Sequence, residues 1–401
     1  MAGRIVVSAM GIISALGRGA AAHLEALRVG QSGLRLPRHL DTIYAQEYLM
    51  GEVRPGNDEL SALLGLPAGN NGYTRTTLLA LVAMNELVQA TGIDTLAQEP
   101  LAFINANTVG GMCSVENMYM DFIAGDTPEE YKKYIDTLDC AESTLNIARF
   151  FGLKPFMATI STACSSSANA LILGARMIQQ GLVKRAVCGG CDSLSRFTIN
   201  GFASLKNVSK TACRPFDRDR SGLNLGEGAG YLLLEREEDA LARGAQILAV
   251  LTGYSNSNDA YHPTAPSPDG SAALRTMERA LQKAKLAPTD IDYINAHGTA
   301  TDSNDAAEGK AIERLFGAGA VFSSTKPFTG HTLAAAGAIE AIFSIWALQH
   351  NTVLPNLNFN AAPADVLIRP ATATNHREMN HVLSNSFGFG GNNVSLIFSK
   401  A

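Results

Sequence analysis

One cysteine, two histidines and a lysine, each near the end of a predicted strand, are the side chains best suited to chemistry in this chain. Cys164 lies in Phe156-Met-Ala-Thr-Ile-Ser-Thr-Ala-Cys-Ser-Ser-Ser-Ala-Asn-Ala-Leu171. The apolar run ends near Ile160, Thr162 can cap a helix, and Cys164 is expected in the first helical turn. The positive end of a helix dipole lowers a thiol pKa, and its free N–H groups point toward a developing anion. Those are the properties a thiolate nucleophile needs. The same position also suits a buried structural thiol, because free cysteine packs as a small apolar residue.

The other candidates come from downstream loops. Asn295-Ala-His-Gly-Thr-Ala-Thr301 follows a predicted strand and places His297 at its carboxyl end, where open α/β sheets carry their chemistry. Thr299 and Thr301 add hydroxyls, and Glu308 lies one helical stretch further on. Ser324-Thr-Lys-Pro-Phe-Thr-Gly-His331 brings Lys326 and His331 close enough to share a cleft, ahead of an Ala/Gly-rich helix containing Glu340. Asn385-Ser-Phe-Gly-Phe-Gly-Gly-Asn-Asn393 is a glycine loop that reads equally as a hairpin turn or as a close approach to substrate. Neither a G-x-x-x-x-G-K-[ST] loop nor a Rossmann G-x-G-x-x-G after a strand is present.

Short β-branched runs must position these loops. Strands are expected at Ile5–Val7, Ala102–Ala106, Phe156–Ile160, Arg185–Cys188, Gly230–Glu235, Ile247–Gly253, Ile291–Ala296, Val321–Ser324, Val382–Asn385 and Asn393–Phe398. Helical patterns cover Thr76–Thr91, Ala168–Gln180, Ala272–Ala284 and Ala334–His350. The alternation predicts an α/β fold. A polar stretch at Arg236–Gly244 divides two halves of similar rhythm, residues 1–236 with Cys164 and residues 237–401 with the histidines. The charged segment Gly125–Cys140 reads as a surface excursion.

Composition narrows the function. With 46% hydrophobic and 17% charged residues the chain can bury a large core, and a formal net charge of −5 argues against a nucleic-acid binder. Six scattered cysteines suit reduced thiols in a cytoplasmic protein. Ser8 and Gly11 interrupt the signal-like run Ile5–Leu16, and no apolar run is expected to approach the ~18 residues of a membrane helix.

Together these motifs resemble the β-ketoacyl synthase family, the condensing enzymes of fatty-acid and polyketide assembly. Arg4-Ile-Val-Val-Ser-Ala-Met-Gly-Ile-Ile-Ser-Ala-Leu-Gly17, Thr162-Ala-Cys-Ser-Ser-Ser167, Arg214-Pro-Phe-Asp-Arg-Asp-Arg-Ser-Gly-Leu-Asn-Leu-Gly-Glu-Gly-Ala-Gly230 and both histidine motifs carry the resemblance over nearly the whole chain. It implies a thiolase fold, a five-layered α-β-α-β-α sandwich of two similar halves. It also implies decarboxylative condensation of malonyl-acyl carrier protein with an acyl group held on Cys164. The backbone N–H groups of Cys164 and Phe389 match the oxyanion-hole positions, and His297 and His331 would hold the malonyl thioester carbonyl as neutral donors. Lys326 is expected to orient His331, with Glu308 in support.

The resemblance further implies that Thr299 and Thr301 contact the phosphopantetheine arm, and that Val109 lines the acyl tunnel. Phe387 and Gly388 belong to the same substrate-facing loop. Asn295, Glu340, Asn385 and Ser386 would form a polar cluster that in some members holds a structural cation. No cofactor is expected, because 4′-phosphopantetheine arrives on the acyl carrier protein. Lys132, Lys133 and Lys206 are candidates for docking that acidic partner. A homodimer, or a heterodimer with a non-catalytic chain-length factor, is implied. Nucleic acid and membrane are not.

Leu223-Asn224 replaces the aromatic–valine pair usual in the family, and Asn392 stands where Thr or Ala is common. Neither is expected to touch the chemistry, though both could reshape the pocket. Cys188-Gly-Gly-Cys191 has redox or zinc spacing but lacks a second ligand pair. A thiolase reading would need a second catalytic cysteine near the C-terminus, and none follows Cys213. A non-catalytic chain-length subunit would typically lack the Cys164 position, and a scaffold protein would leave the constellation unexplained.

Overall fold

The computed structural model describes residues 3–69, 71–97, 100–125, 134–363 and 368–401. Ten strands form the main path of one large sheet: β1 Ile5–Ser14, β2 Leu101–Ala106, β3 Phe156–Ile160, β4 Arg185–Asp192, β5 Gly228–Arg236, β6 Ala249–Asn258, β7 Tyr293–Asn295, β8 Phe322–Ser323, β9 His381–Gly388 and β10 Asn392–Ser399. Each predicted strand is present; most ends differ by a few residues, but the first runs on from Val7 to Ser14 and the sixth from Gly253 to Asn258. The two-residue strands Gly17–Arg18, Thr352–Val353 and Asn375–His376 were not foreseen, being too short to carry a periodic signal.

Strand order exposes a duplication. The first half runs β3-β2-β4-β5-β1 and the second β8-β7-β9-β10-β6, the same order by rank in each half. Strand directions repeat as well: β2 is parallel to β3 and β4, as β7 is to β8 and β9, and the remaining neighbours are antiparallel. The halves join where β1 meets β6 through Val6–Val250 and Val7–Ala249.

Helices complete five layers. The outer layer of the first half contains α1 Arg75–Thr91 and α2 Cys140–Phe150, and that of the second contains α4 Ser271–Ala284 and α5 Asp302–Phe316. Between the two halves of the sheet lie α3 Ser166–Gln179 and α6 Ala336–His350. Every residue of α6 from Ala336 to Leu348 is buried, including Ile339, Ile342, Phe343, Ile345 and Trp346. A helix apolar on all sides has no other stable location in such a fold. Leu333–His350 is in fact long and apolar enough to cross a membrane by composition, contrary to expectation, but it is 89% buried inside the protein. Among the described residues strand β3 pairs on one side only, and Phe156 and Met157 on it are exposed.

Candidate active site

Cys164 sits on an elbow between β3 and α3. The helix begins at Ser166 with Ser165 as its cap residue, so Cys164 precedes the first helical turn instead of lying in it, and Thr162 is not the cap. Ala163 takes a left-handed φ of 52°, which costs a non-glycine residue on the order of 1–3 kcal/mol. The elbow is fixed by its own hydroxyls. Ser166 Oγ donates to the Ala163 carbonyl at 2.6 Å and accepts from the Thr162 N–H at 2.8 Å, while Ser165 Oγ donates to the Thr162 carbonyl at 2.9 Å. The serine run therefore holds the turn that presents the thiol.

The thiol is not a resting thiolate. Burial pushes Cys164 up to about 11, and the carboxylate of Glu340 works in the same direction. The charge of Lys326 and the N–H groups of Phe389 and Cys164 oppose it without prevailing. The sequence expectation of a lowered pKa fails because desolvation outweighs the helix terminus. Those two N–H groups nonetheless point at sulfur, which is the oxyanion-hole arrangement assigned to them. Gly388 allows it: a Cβ there would lie 3.1 Å from the Cys164 nitrogen and 3.0 Å from the Thr162 carbonyl oxygen.

His297 and His331 complete the site. Their ring nitrogens and the Cys164 sulfur all lie within 4.8 Å of one another, and the two rings meet edge to face with centroids 5.4 Å apart. Burial and the Lys326 charge hold both imidazoles well below the usual histidine range, so both are neutral. Their tautomers follow from their partners. Lys326 Nζ lies 3.2 Å from His297 Nδ1, and the Leu333 N–H donates to His331 Nδ1 at 3.2 Å. Since an ammonium and an amide can only donate, each ring carries its hydrogen on Nε2. His331 Nε2 is buried without a protein partner among the described residues, which leaves a donor ready for a substrate oxygen.

Lys326 thus orients His297, not His331 as the sequence suggested. It is buried and also binds Glu340 Oε1 at 2.5 Å. Glu308 holds the backbone of the His297 loop: its two oxygens accept from the N–H groups of His297 at 2.9 Å and Gly298 at 2.8 Å. Burial pushes that carboxyl up to about 7.

Asn295, Glu340, Asn385 and Ser386, the residues expected around a structural cation, are all buried. Asn385 donates to Glu308 at 3.1 Å and accepts from Ser395 at 2.7 Å, while Asn295 donates to the Glu340 carbonyl at 3.3 Å. Glu340 Oε2 is buried without a partner among the described residues. The Cys164, His297 and His331 donors could in principle hold a transition ion, and the Lys326 charge 3.2 Å from His297 opposes one.

A cleft leads from this centre to the surface, lined by Phe387, Gly388 and Phe389 together with Thr299, Thr301 and Leu223. The Thr299 and Thr301 hydroxyls share a 2.8 Å hydrogen bond at its wall. Phe389 stacks on Phe202, with centroids 5.5 Å apart. Val109 does not line this cleft. It packs in the apolar cluster behind, with Phe202, Leu194, Ile199 and Leu333. Lys206 is exposed beside Asn207 of the cleft rim, whereas Lys132 and Lys133 lie outside the described residues. Cys188 and Cys191 are both buried and face opposite sides of β4, in separate cores, so they cannot share an ion.

Several site residues escaped the sequence reading. Phe202 belongs to the helix Arg196–Ser204, whose Gly and β-branched residues hide its pattern. Asp192 is fully buried and accepts from Thr108, Val109 and the Ala334 N–H, joining the end of β4 to the His331 loop. An acid closing an otherwise uncharged stretch after Arg185 was its available signal. Both departures also touch the site, against expectation: Leu223 lines the cleft, and the Asn224 carbonyl accepts from the His331 N–H at 2.7 Å. Asn392 donates to the Phe389 carbonyl at 3.2 Å.

Comparison with known proteins decides the family. Residues 2–240 match the beta-ketoacyl synthase N-terminal domain, and residues 248–360 match its C-terminal domain. The chain belongs to the β-ketoacyl synthase family. It is 33% identical to a 3-oxoacyl-[acyl-carrier-protein] synthase 2 of Staphylococcus aureus (strain COL), over 99% of this chain and 98% of that one. Among solved structures of the family, the ishigamide ketosynthase/chain length factor superposes with a TM-score of 0.93 at 31% identity, covering 100% of both chains. A ketosynthase in complex with its chain length factor from Xenorhabdus doucetiae gives 0.87 at 33% identity, covering 100% of this chain and 98% of that one.

Proposed function

We propose that this chain is a 3-oxoacyl-[acyl-carrier-protein] synthase that joins a malonyl unit to an acyl group held on Cys164. The observation that carries this reading is the convergence of one thiol with two neutral imidazoles, a ring nitrogen of each lying within 4.8 Å of the other and of the sulfur. That set can hold a thioester and, beside it, the oxygen of an enolate.

In the first half-reaction Cys164 loses its proton to solvent and attacks the thioester of an acyl-carrier protein. The Phe389 and Cys164 N–H groups receive the oxyanion. The C–S bond to the pantetheine sulfur breaks, and that thiolate leaves and takes up a proton. In the second, the malonyl thioester carbonyl accepts from His297 and His331. Its carboxylate departs as carbon dioxide, and the bonding pair becomes an enolate held by the two donors. The enolate carbon attacks the acyl-Cys164 carbonyl, a C–C bond forms, and the Cys164 thiolate is released. Neutral imidazoles suit this work because each step asks them only to donate. Lys326 keeps the hydrogen of His297 on the correct nitrogen.

The chain needs no cofactor of its own in this scheme, as the phosphopantetheine arm comes with the carrier protein. The arm would pass Thr299 and Thr301, and Lys206 would meet the acidic carrier at the rim. The one-sided pairing of β3, with Phe156 and Met157 exposed on it, supports association with a second chain of the same fold. That chain is a second copy or a chain-length factor, the latter favoured by the paired ketosynthases it resembles. Such a synthase would act in the cytoplasm, in fatty-acid or polyketide assembly.

The test is incubation with acyl- and malonyl-carrier proteins of graded chain length, followed by intact-protein mass spectrometry. An acyl adduct on Cys164, absent in C164A, and a product two carbons longer are expected. Failure of every primer to load Cys164 would overturn the assignment.

A further inference from the structure

His331 owes its place to a neighbouring strand-like segment. Its N–H donates to the Asn224 carbonyl at 2.7 Å and its carbonyl accepts from the Gly226 N–H at 2.9 Å, a short parallel bridge. The two backbones touch directly. A Cβ on Gly226 would lie 2.3 Å from the Thr329 carbonyl oxygen, and one on Gly330 would lie 2.7 Å from that of Leu225. The His331 loop therefore follows the 224–226 segment as one body.

That segment is in turn anchored by a single amide. The Asn224 side chain is fully buried. Its Nδ2 donates toward the carbonyls of Leu49 at 3.0 Å, Ser209 at 3.1 Å and Thr211 at 3.2 Å, and its Oδ1 accepts from the Cys213 N–H at 2.7 Å. Both amide hydrogens are engaged, shared among three carbonyls, and Oδ1 accepts one hydrogen bond. An apolar side chain of similar size would fill the space and leave these backbone groups buried without partners.

We propose that Asn224 is the positioning residue of His331: its amide ties the 224–226 segment to Leu49 and to the 209–213 loop, and the segment sets where the His331 Nε2–H points. This rests on the condensing-enzyme reading above. It predicts a selective defect, because His331 serves the malonyl half-reaction while Cys164 loading relies on the Phe389 and Cys164 N–H groups.

The experiment compares wild type, N224D and N224S in two assays. One is Cys164 loading from acyl-carrier protein by mass spectrometry, and the other is condensation with malonyl-carrier protein resolved into kcat and KM. N224D keeps the shape but turns the donor into an acceptor facing three carbonyls. Its kcat for condensation is expected to fall at least about tenfold, with loading and the malonyl-carrier KM within about twofold of wild type. Its condensation relative to wild type rises as pH falls, since a protonated carboxyl regains one donor. N224S retains one hydroxyl donor and an acceptor, so its kcat falls between the two; it carries the test should N224D not fold.

Condensation at the wild-type rate in both variants would overturn the proposal. So would loading and condensation falling in parallel, or failure of both variants to fold, since either makes the amide a requirement of the whole fold. A wild-type protein that never loads Cys164 overturns the functional reading itself, and this inference with it.

Discussion

The two halves of the molecule place equivalent strand ends around one point and put different chemistry on them. After β3 the chain turns through the left-handed Ala163 and presents Cys164 ahead of the buried helix α3. After β8 it presents His331, turns through Leu333 at φ 53°, and enters the buried helix α6. The ends of β2 and β7 carry Asn107 and His297. Those of β4 and β9 carry Asp192 and the Phe389 loop. The shared scaffold supplies strained elbows at a helix start in both halves. What differs is electrostatic. The first half contributes an uncharged thiol, and the second surrounds its histidines with the Lys326–Glu340 pair. A nucleophile and an enolate cradle thus come from one architecture used twice.

Removing the donors of the second half breaks that division most sharply. H297A and H331A should each lower condensation by about 10²–10³-fold, while mass spectrometry still finds Cys164 acylated. Loss of loading in both would mean that the histidines also serve the first half-reaction.

K326A sharpens it next. His297 loses the charge that suppresses its protonation, so the acid limb of the kcat–pH profile should move to higher pH. Stability should fall by about 3–5 kcal/mol as Glu340 is left buried without its partner, read by denaturant unfolding. An unshifted acid limb would remove Lys326 from control of His297.

A seam between the halves gives a pH signature of its own. His23 is buried against Phe343 and Trp346 of α6, donates from Nδ1 to the Gly19 carbonyl and accepts from Ser14 at Nε2. Burial lowers it from 6.5 to about 4. The unfolded chain then binds the extra proton between those values, so stability is complete above pH 6.5 and is lost as pH falls toward 4. Wild type should lose about 3 kcal/mol across that window that H23Q does not lose. Equal slopes in equilibrium unfolding would refute it.

The smallest effect is at the rim. K206E should raise the carrier-protein KM about two- to fivefold, and the difference should shrink with added salt.

Much of this was legible in the sequence. Strands such as Arg185–Asp192 could be seen because burial on both faces selects unbroken runs of small and apolar residues. The Cys164, His297, Lys326, His331 and glycine-loop positions could be seen because each falls where a strand stops. The polar pairings could not. Whether Lys326 serves His297 or His331, and whether Asn385 meets Glu308 or Glu340, depends on a few ångströms of tertiary packing that spacing does not encode. The thiol's raised pKa was hidden for the same reason, since burial is set by layers distant in sequence. Asn224 looked like a change in pocket shape because a departure from a family pattern says nothing about hydrogen bonds.

The burial of α6 has a consequence for how the chain is made. The inner face of β5 is covered by a helix that leaves the ribosome only after residue 350. Until then the 335 residues before the helix present this apolar surface without its cover, alongside the open edge of β3. A nascent chain stalled or cleaved before that helix would be a client for chaperones and proteases, and a premature stop there would abolish the protein even though both histidines had already been made.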